Sequence, residues 1–209
     1  IDEFFINLLP RKKFLFIPQA IAPKIWSYKR AYRWIRKPKS FRNLDVVMWK
    51  NLNQKKYKDL KDFDAIYIMG GNTFNLVNEL KKSKFINLLK KFITNDRIVY
   101  GISAGAIILG KDINMSTIGP EAGKNEVGIK DFYGLNLLKG LNVYCHYSSE
   151  QDKELFSYLR KTKNEFIAIP EKSGVFVNGK YMTFIGYEPV YVFKDRIKIK
   201  FNPNSNIKL

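Results

Sequence analysis

The chain has 209 residues, of which 45% are hydrophobic and 15% aromatic, enough apolar surface for one packed domain. It carries a formal net charge of +18, and its single Cys and single His exclude an intrachain disulfide and a Cys/His zinc site. Because its apolar runs are too short to span a bilayer, we expect a soluble, cytoplasmic protein with one domain over residues 1–209, without metal, cofactor or membrane partner.

Short apolar runs alternate with helical patterns along the first half of the chain. A helix is predicted over residues 1–9, before the first strand. Strands are predicted at residues 13–18, 44–49, 64–69 and 97–100, and helices at residues 24–37, 73–82, 85–93 and 104–109. Strands that are apolar on both faces and separated by helices indicate a parallel sheet covered on each side.

The pattern changes near the C-terminus, after a helix predicted at residues 150–160. Alternating residues on either side of Asn178-Gly179 predict a β-hairpin with a type I′ turn, and residues 190–200 predict one further edge strand. The predicted fold class is therefore α/β, a three-layer α/β/α sandwich with a mainly parallel sheet and a C-terminal antiparallel hairpin.

A basic segment spans residues 24–42, which contain eight Lys or Arg and no Asp or Glu. Aromatic residues, among them Trp26 and Trp34, lie between the cations, and this combination is typical of a nucleic-acid surface. The alternative is a solvated amphipathic helix in a lysine-rich protein, because Ile25, Tyr28, Tyr32 and Ile35 recur at helical spacing.

Gly101-Ile102-Ser103-Ala104-Gly105 is a G-x-S-x-G motif between a predicted strand and a predicted helix. This setting is typical of a nucleophile elbow, in which a strained turn exposes the Ser103 hydroxyl and the N–H of Ala104 faces an oxyanion. The alternative is a glycine-rich turn in which Ser103 only caps the helix.

The turn Gly70-Gly71-Asn72-Thr73 follows the third predicted strand and begins another helix. Such a turn places backbone N–H groups at the carboxyl end of the sheet, so Gly70, Gly71 and Asn72 are candidate binding residues, with Gly71 as a second oxyanion donor. A plain turn with Asn72 as the helix cap explains the same residues.

His146 is the only imidazole in the chain and would be the base if Ser103 is a nucleophile. Cys145 is adjacent, but no elbow surrounds it. Four acidic residues lie between Ser103 and His146 and could complete a triad, namely Asp112, Glu121, Glu126 and Asp131. The 63 residues that follow His146 argue against an α/β-hydrolase, whose His lies close to the chain end.

Together these segments resemble the aspartyl dipeptidase (dipeptidase E) family of serine peptidases, to which cyanophycinase also belongs. The similarity is carried by Gly70-Gly71-Asn72-Thr73-Phe74, by Gly101 to Ala106 and by Cys145-His146-Tyr147, and it includes Ile169-Pro170-Glu171. It implies a class I glutamine-amidotransferase-like fold, with Ser103 as nucleophile, His146 as general base and Gly71 and Ala104 as oxyanion donors. It also leads us to expect that the family's first strand is absent upstream of residue 1.

Two positions depart from the family pattern. Gly123 lies where members carry an acidic residue, so either Glu121 or Glu126 replaces it through a shifted loop, or another group orients His146, or activity is low. Ser149 lies where the dipeptidases carry an Arg for the substrate aspartate, although Lys124, Lys153 and Lys172 are other candidate cations.

The prediction is a serine exopeptidase, monomeric or homodimeric, acting on small peptides, with an N-terminal Asp as a candidate specificity. The alternative is a catalytically weak family member that binds nucleic acid or another polyanion through residues 24–42. An esterase or amidase of the α/β-hydrolase type would require a different strand order.

Overall fold

The structure is a computed structural model that describes residues 1–21 and 27–209. Its contacts divide the chain into two compact units. The N-terminal unit contains residues 2–105 and 125–130, and the C-terminal unit contains residue 1, residues 106–124 and residues 131–209. Lys24, Ile25 and Trp26, at the predicted start of the basic helix, lie outside the described residues.

The N-terminal unit is built on a parallel sheet of four strands. These are β1 (Lys13–Ile17), β2 (Asp45–Met48), β3 (Ala65–Ile68) and β4 (Ile98–Gly101), in the order β2-β1-β3-β4. Its helices are α1 (Asp2–Asn7), α2 (Tyr28–Ile35), α3 (Thr73–Lys82) and α4 (Phe85–Thr94), and α5 (Ala104–Ile107) begins at its end. Each strand lies within two residues of its predicted bounds.

Burial explains the parallel arrangement of these strands. Phe14, Phe16 and Tyr67 on the central strands are fully or almost fully buried, and they pack with Phe5 and Phe41 from the elements before β1 and β2. Ring contacts such as Phe14–Tyr67, at 5.7 Å between centroids, fill this layer. Leu15, which alternates with Phe14 and Phe16 and so faces the other side of β1, is fully buried too. Apolar side chains on both faces require cover on both sides, which the connecting helices of a parallel sheet supply.

The C-terminal unit contains one mixed and one antiparallel sheet. Its strands are β5 (Asn142–Cys145), β6 (Phe166–Ile169), β7 (Ser173–Asn178), β8 (Tyr181–Gly186), β9 (Val190–Lys194), β10 (Ile197–Phe201) and β11 (Asn206–Lys208). The mixed sheet has the order β10-β9-β6-β5, with β5 and β6 parallel, and the antiparallel sheet has the order β11-β8-β7. One helix, α6 (Asp152–Thr162), connects β5 to β6 and follows a 3₁₀ turn at Ser149–Gln151.

The structure corrects two details of the predicted C-terminal strands. Asn178 pairs with Tyr181, so the hairpin turn consists of Gly179 and Lys180. Of these two only Gly179 has a positive φ, which is the pattern of a type II′ turn and not of type I′. The predicted strand at residues 190–200 is two strands, because Asp195 and Arg196 both adopt positive φ and reverse the chain between β9 and β10.

The predicted mixed α/β fold, with a parallel sheet and antiparallel strands near the C-terminus, is confirmed. Within the described ranges, none of the helices has the length and apolar character needed to cross a membrane.

Candidate active site

Ser103 lies in a sharp turn between the end of β4 and the start of α5. Its φ is +48°, a left-handed conformation that costs a non-glycine residue about 1–3 kcal/mol. Ile102 N donates to the Ile68 carbonyl at 3.1 Å, and Gly105 N donates to the Ile102 carbonyl at 2.8 Å, so both sides of the turn are fixed. The predicted strained turn between a strand and a helix is therefore present.

Glycines allow this turn to approach β3 and the segment after it. A Cβ on Gly105 would lie 2.3 Å from the Ile68 carbonyl oxygen, which no side chain could tolerate without backbone movement. A Cβ on Gly70 would lie 3.0 Å from the Ser103 Cβ. Gly70 is thus a direct neighbour of Ser103, and the two glycine-containing turns predicted from the sequence lie together within the N-terminal unit.

Gly71 and Asn72 make different contacts, which indicate different roles. Gly71 has a φ of +139°, and a Cβ there would lie 2.5 Å from the Ala20 carbonyl oxygen. Asn72 N donates to that same carbonyl at 2.8 Å, while Asn72 Oδ1 accepts from Asn75 N at 3.0 Å and caps α3. Asn72 is therefore a helix cap, and Gly71 is the residue whose backbone has to be glycine.

His146 follows β5 directly and also has a left-handed φ, +58°. Its Nδ1 pairs with Oε1 of Glu171, which lies two residues beyond the end of β6. Because β5 and β6 are parallel and Cys145 is in register with Ile169, both side chains project from the same edge of one sheet. A carboxylate that accepts from Nδ1–H favours the tautomer in which Nε2 is unprotonated and can act as a base.

Glu171 is not among the acidic residues selected from the sequence. That selection considered only residues between Ser103 and His146, whereas Glu171 lies 25 positions after His146. Glu121 and Glu126 are both exposed in the segment after the 3₁₀ turn Asn114–Thr117, and their proposed triad role stays a prediction. The segment Ile169-Pro170-Glu171, part of the family resemblance, was the signal that could have identified this carboxylate.

The thiol of Cys145, next to His146, is a second nucleophile to consider. Burial raises the pKa of its thiol to about 12, and the nearby carboxylate of Glu171 adds to this effect. A thiol in this state stays protonated at neutral pH and is a poor nucleophile. Ser103 therefore remains the candidate nucleophile.

An open cavity of about 640 Å³ lies in the C-terminal unit beside the start of α6. Lys153 lines it together with Glu150 and Glu154, so its charge is mixed. Lys124 and Lys172, the other candidate substrate cations, are exposed and do not line this cavity. Among the residues that the structure describes, no three His, Cys, Asp or Glu side chains are grouped so that they could hold a metal ion.

Comparison with known proteins gives consistent matches. The model of peptidase family S51 matches residues 1–185. An uncharacterized peptidase of Listeria monocytogenes, Lmo0363, is 30% identical over 58% of this chain and 60% of its own length. Peptidase E of Shewanella oneidensis is 28% identical over 64% of this chain and 58% of its own length. The chain thus spans about 60% of the length of these curated relatives.

Solved structures agree in fold. A candidate peptidase E protein from Listeria monocytogenes EGD-e matches with a TM-score of 0.70 and 22% identity, over 90% of this chain and 94% of that one. A peptidase from an acI-B1 Actinobacterium matches with a TM-score of 0.72 and 16% identity, over 100% of this chain and 91% of that one. With the family model matching most of its length, the chain belongs to peptidase family S51.

Proposed function

We propose that this chain is a serine peptidase that hydrolyses short peptides through an acyl-enzyme. The observation that carries the proposal is the left-handed Ser103 in the turn between β4 and α5. Strain of this kind persists where the surrounding structure fixes it, and in a G-x-S-x-G turn it exposes the hydroxyl for attack. Membership of family S51 and relatives named as peptidases support the same activity.

In the proposed reaction, the Ser103 hydroxyl attacks the scissile carbonyl while Nε2 of His146 takes its proton. Glu171 holds the opposite ring nitrogen and stabilises the imidazolium that forms. Backbone N–H groups of Gly71 and Ala104 bind the oxyanion. The imidazolium then donates its proton to the leaving amine as the C–N bond breaks. Water next attacks the acyl-enzyme while His146 takes its proton, and that proton passes to the Ser103 oxygen as the acyl C–O bond breaks.

The proposed substrates are short peptides with a free N-terminus. Ser149 replaces the arginine that the family resemblance implies for an N-terminal Asp, so we expect a preference broader than Asp alone. Lys153 is the candidate cation for an acidic side chain, since it lines the cavity beside α6. The rates at which Asp-Leu, Ala-Leu and Lys-Leu dipeptides are hydrolysed at equal concentration measure this preference.

A fluorophosphonate probe, read by intact mass, tests the nucleophile. We expect one adduct on the wild type and none on Ser103→Ala. Ser40→Ala, which changes an exposed serine that does not line the cavity beside α6, is the matched control and should label like the wild type. An adduct that persists on folded Ser103→Ala would show that another residue reacts, and peptide hydrolysis that persists in that variant would contradict the function itself.

A second candidate function, nucleic-acid binding, is favoured by the distribution of arginine. The whole chain has eight Arg and 29 Lys, yet four of the eight lie at positions 30, 33, 36 and 42. A lysine-rich composition does not explain this concentration, and arginine is the cation best suited to bidentate phosphate contacts. Trp34 is 38% exposed on the same helix and offers a ring for base stacking.

The contacts of Arg36 determine which arginines should be changed in a test. Its guanidinium donates to the Leu44 and Arg42 carbonyls, at 2.6 and 2.9 Å, so it has a structural role. We therefore choose Arg30→Gln with Arg33→Gln, and measure the affinity for a fluorescent 20-mer of single-stranded RNA against salt. Binding that weakens with salt and in this double variant, but not in Lys153→Gln with Lys172→Gln, supports the function. Affinity that does not change with salt excludes it.

A further inference from the structure

A cluster of three residues beside His146 has no part in the mechanism above. The Tyr147 hydroxyl donates to Oδ1 of Asp152 at 2.7 Å, and Lys198 Nζ lies 2.7 Å from Oδ2 of the same carboxylate. We propose that Tyr147, Asp152 and Lys198 form a positioning cluster that holds His146 in contact with Glu171. This inference rests on the proposed function of His146 as the base.

Lys198 is held by aromatic rings as well as by the carboxylate. Its Nζ lies 4.3 Å from the ring centroid of Tyr191, 5.1 Å from that of Tyr147 and 5.9 Å from that of Phe193. The Lys198 side chain is 20% exposed and that of Asp152 is 31% exposed. A partly shielded ion pair is screened less by salt than a surface pair, and cation–π contacts further fix the ammonium group.

Tyr147, the residue after the candidate base, is fixed at two points, its backbone N–H and its hydroxyl. Its backbone N donates to the Ile169 carbonyl at 3.2 Å, and Ile169 ends the strand that leads to Glu171. Its side chain is buried, with the hydroxyl bound to the first residue of α6. The residue after His146 is therefore tied to the Glu171 strand by its backbone and to α6 by its hydroxyl.

The state of the Tyr147 hydroxyl suits this role. Burial holds the pKa of Tyr147 well above its ordinary value, and the hydrogen bond to Asp152 adds to the effect. The phenol therefore remains protonated and keeps its donor bond at any pH at which a peptidase would work. Because His146 itself has a left-handed φ, it relies on neighbouring contacts of this kind to stay in place.

The single histidine gives this inference a direct spectroscopic test. In protein labelled with ¹⁵N-histidine, the only imidazole signals come from His146. We expect Lys198→Met to shift these signals and to slow fluorophosphonate labelling of Ser103 about tenfold, since small misplacements of a catalytic group cost this much or more. Lys198→Arg should restore most of both properties, and Lys200→Met, an exposed lysine on the same strand, should change neither.

Tyr147→Phe is the second variant, because it removes one hydroxyl and keeps the buried ring. If Lys198→Met does not fold, Tyr147→Phe tests the inference in its place. We expect it too to shift the imidazole signals of His146 and to slow fluorophosphonate labelling. Unchanged imidazole signals in a folded variant would overturn the inference, as would an unchanged labelling rate. Failure of the proposed function is distinguishable, because it would appear as peptide hydrolysis that survives Ser103→Ala, whereas the imidazole signals report on the contacts of His146 in either case.

Discussion

Two residues with left-handed backbones stand out at the residue scale, Ser103 and His146. Each follows the end of a parallel strand, and their φ values are +48° and +58°. Chain direction changes sharply at such a residue, so its side chain projects from the edge of the sheet instead of continuing along the strand. Nucleophile and base candidates thus share one local geometry, and Gly70, Gly71 and Gly105 provide the space for the first of them.

Glu171→Gln tests the carboxylate on His146. An amide can place a donor against Nδ1 and thereby favour the wrong tautomer, which in a triad costs up to about 10⁴ in kcat. We expect fluorophosphonate labelling to slow by about 10²-fold or more without loss of stability, since the Glu171 side chain is 70% exposed. Unfolding in urea and labelling kinetics measure the two effects.

Glu121→Gln and Glu126→Gln are the matched controls for Glu171→Gln, because each changes an exposed acid that the sequence nominated. Both should label at the wild-type rate. A large loss in either one, with Glu171→Gln unaffected, would assign the orienting acid to the loop that the sequence indicated.

At the scale of elements, one buried carboxylate connects the beginnings of two strands in the N-terminal unit. Asp64, directly before β3, is 4% exposed and accepts from Arg11 N at 2.8 Å and Lys13 N at 3.2 Å. Arg11 Nε donates to its other oxygen at 2.9 Å. One carboxylate therefore aligns the beginnings of β1 and β3, the two central strands of the sheet.

Asp64 makes the stability of this unit dependent on pH. Burial alone would raise the pKa of Asp64, but the hydrogen bonds and charge from Arg11, with the Lys13 N–H, outweigh it and lower the pKa. A carboxyl group whose pKa is lower in the folded state stabilises the fold at pH values above its unfolded-state pKa, which is about 4. This stabilisation is lost as the pH falls through the folded-state pKa.

We therefore expect Asp64→Asn to cost about 2 kcal/mol of unfolding free energy at pH 7, and less as pH falls below about 4. Urea denaturation from pH 7 to pH 3 measures this difference. Asp62→Asn, which changes an exposed neighbour, is the control and should follow the wild type. A constant difference between Asp64→Asn and wild type across the pH range would contradict the assignment.

The same elements show how much the sequence could predict. Strands such as β1 and β3 have apolar residues on both faces, and their predicted bounds agree with the structure within one residue. The His146–Glu171 pair could not be predicted from residue patterns alone, because it depends on β5 and β6 lying side by side across an intervening helix. Only the resemblance at Ile169-Pro170-Glu171 pointed to this carboxylate. The turn at Asp195-Arg196 was missed because it contains no glycine to interrupt the alternating pattern.

At the scale of the whole molecule, the chain passes between the two units repeatedly. It leaves the N-terminal unit after residue 105, returns for residues 125–130 and leaves again at residue 131. The prediction of one domain over residues 1–209 requires the two units to unfold together. Neither unit is a continuous piece of chain, which favours a single cooperative transition.

Two probes can test this prediction separately. All three tryptophans fall between residues 26 and 49, whereas the only histidine lies in the C-terminal unit. We expect the urea midpoints from tryptophan fluorescence and from the His146 imidazole signals to coincide. Asp64→Asn, a change in the N-terminal unit, should lower both midpoints equally, and a shift in only one would contradict the single domain.

The protonated thiol of Cys145 has a practical consequence for experiments on this molecule. With a pKa of about 12, almost none of it is thiolate at pH 7.5, so maleimides and iodoacetamide should leave it unmodified in the folded state. A cysteine introduced on the exposed side of α2, at Lys29 for example, would then be the only reactive thiol in the chain. Fluorophores or spin labels can therefore be attached at single sites in the natural background, and reaction of Cys145 itself becomes a sensitive signal that the fold has opened.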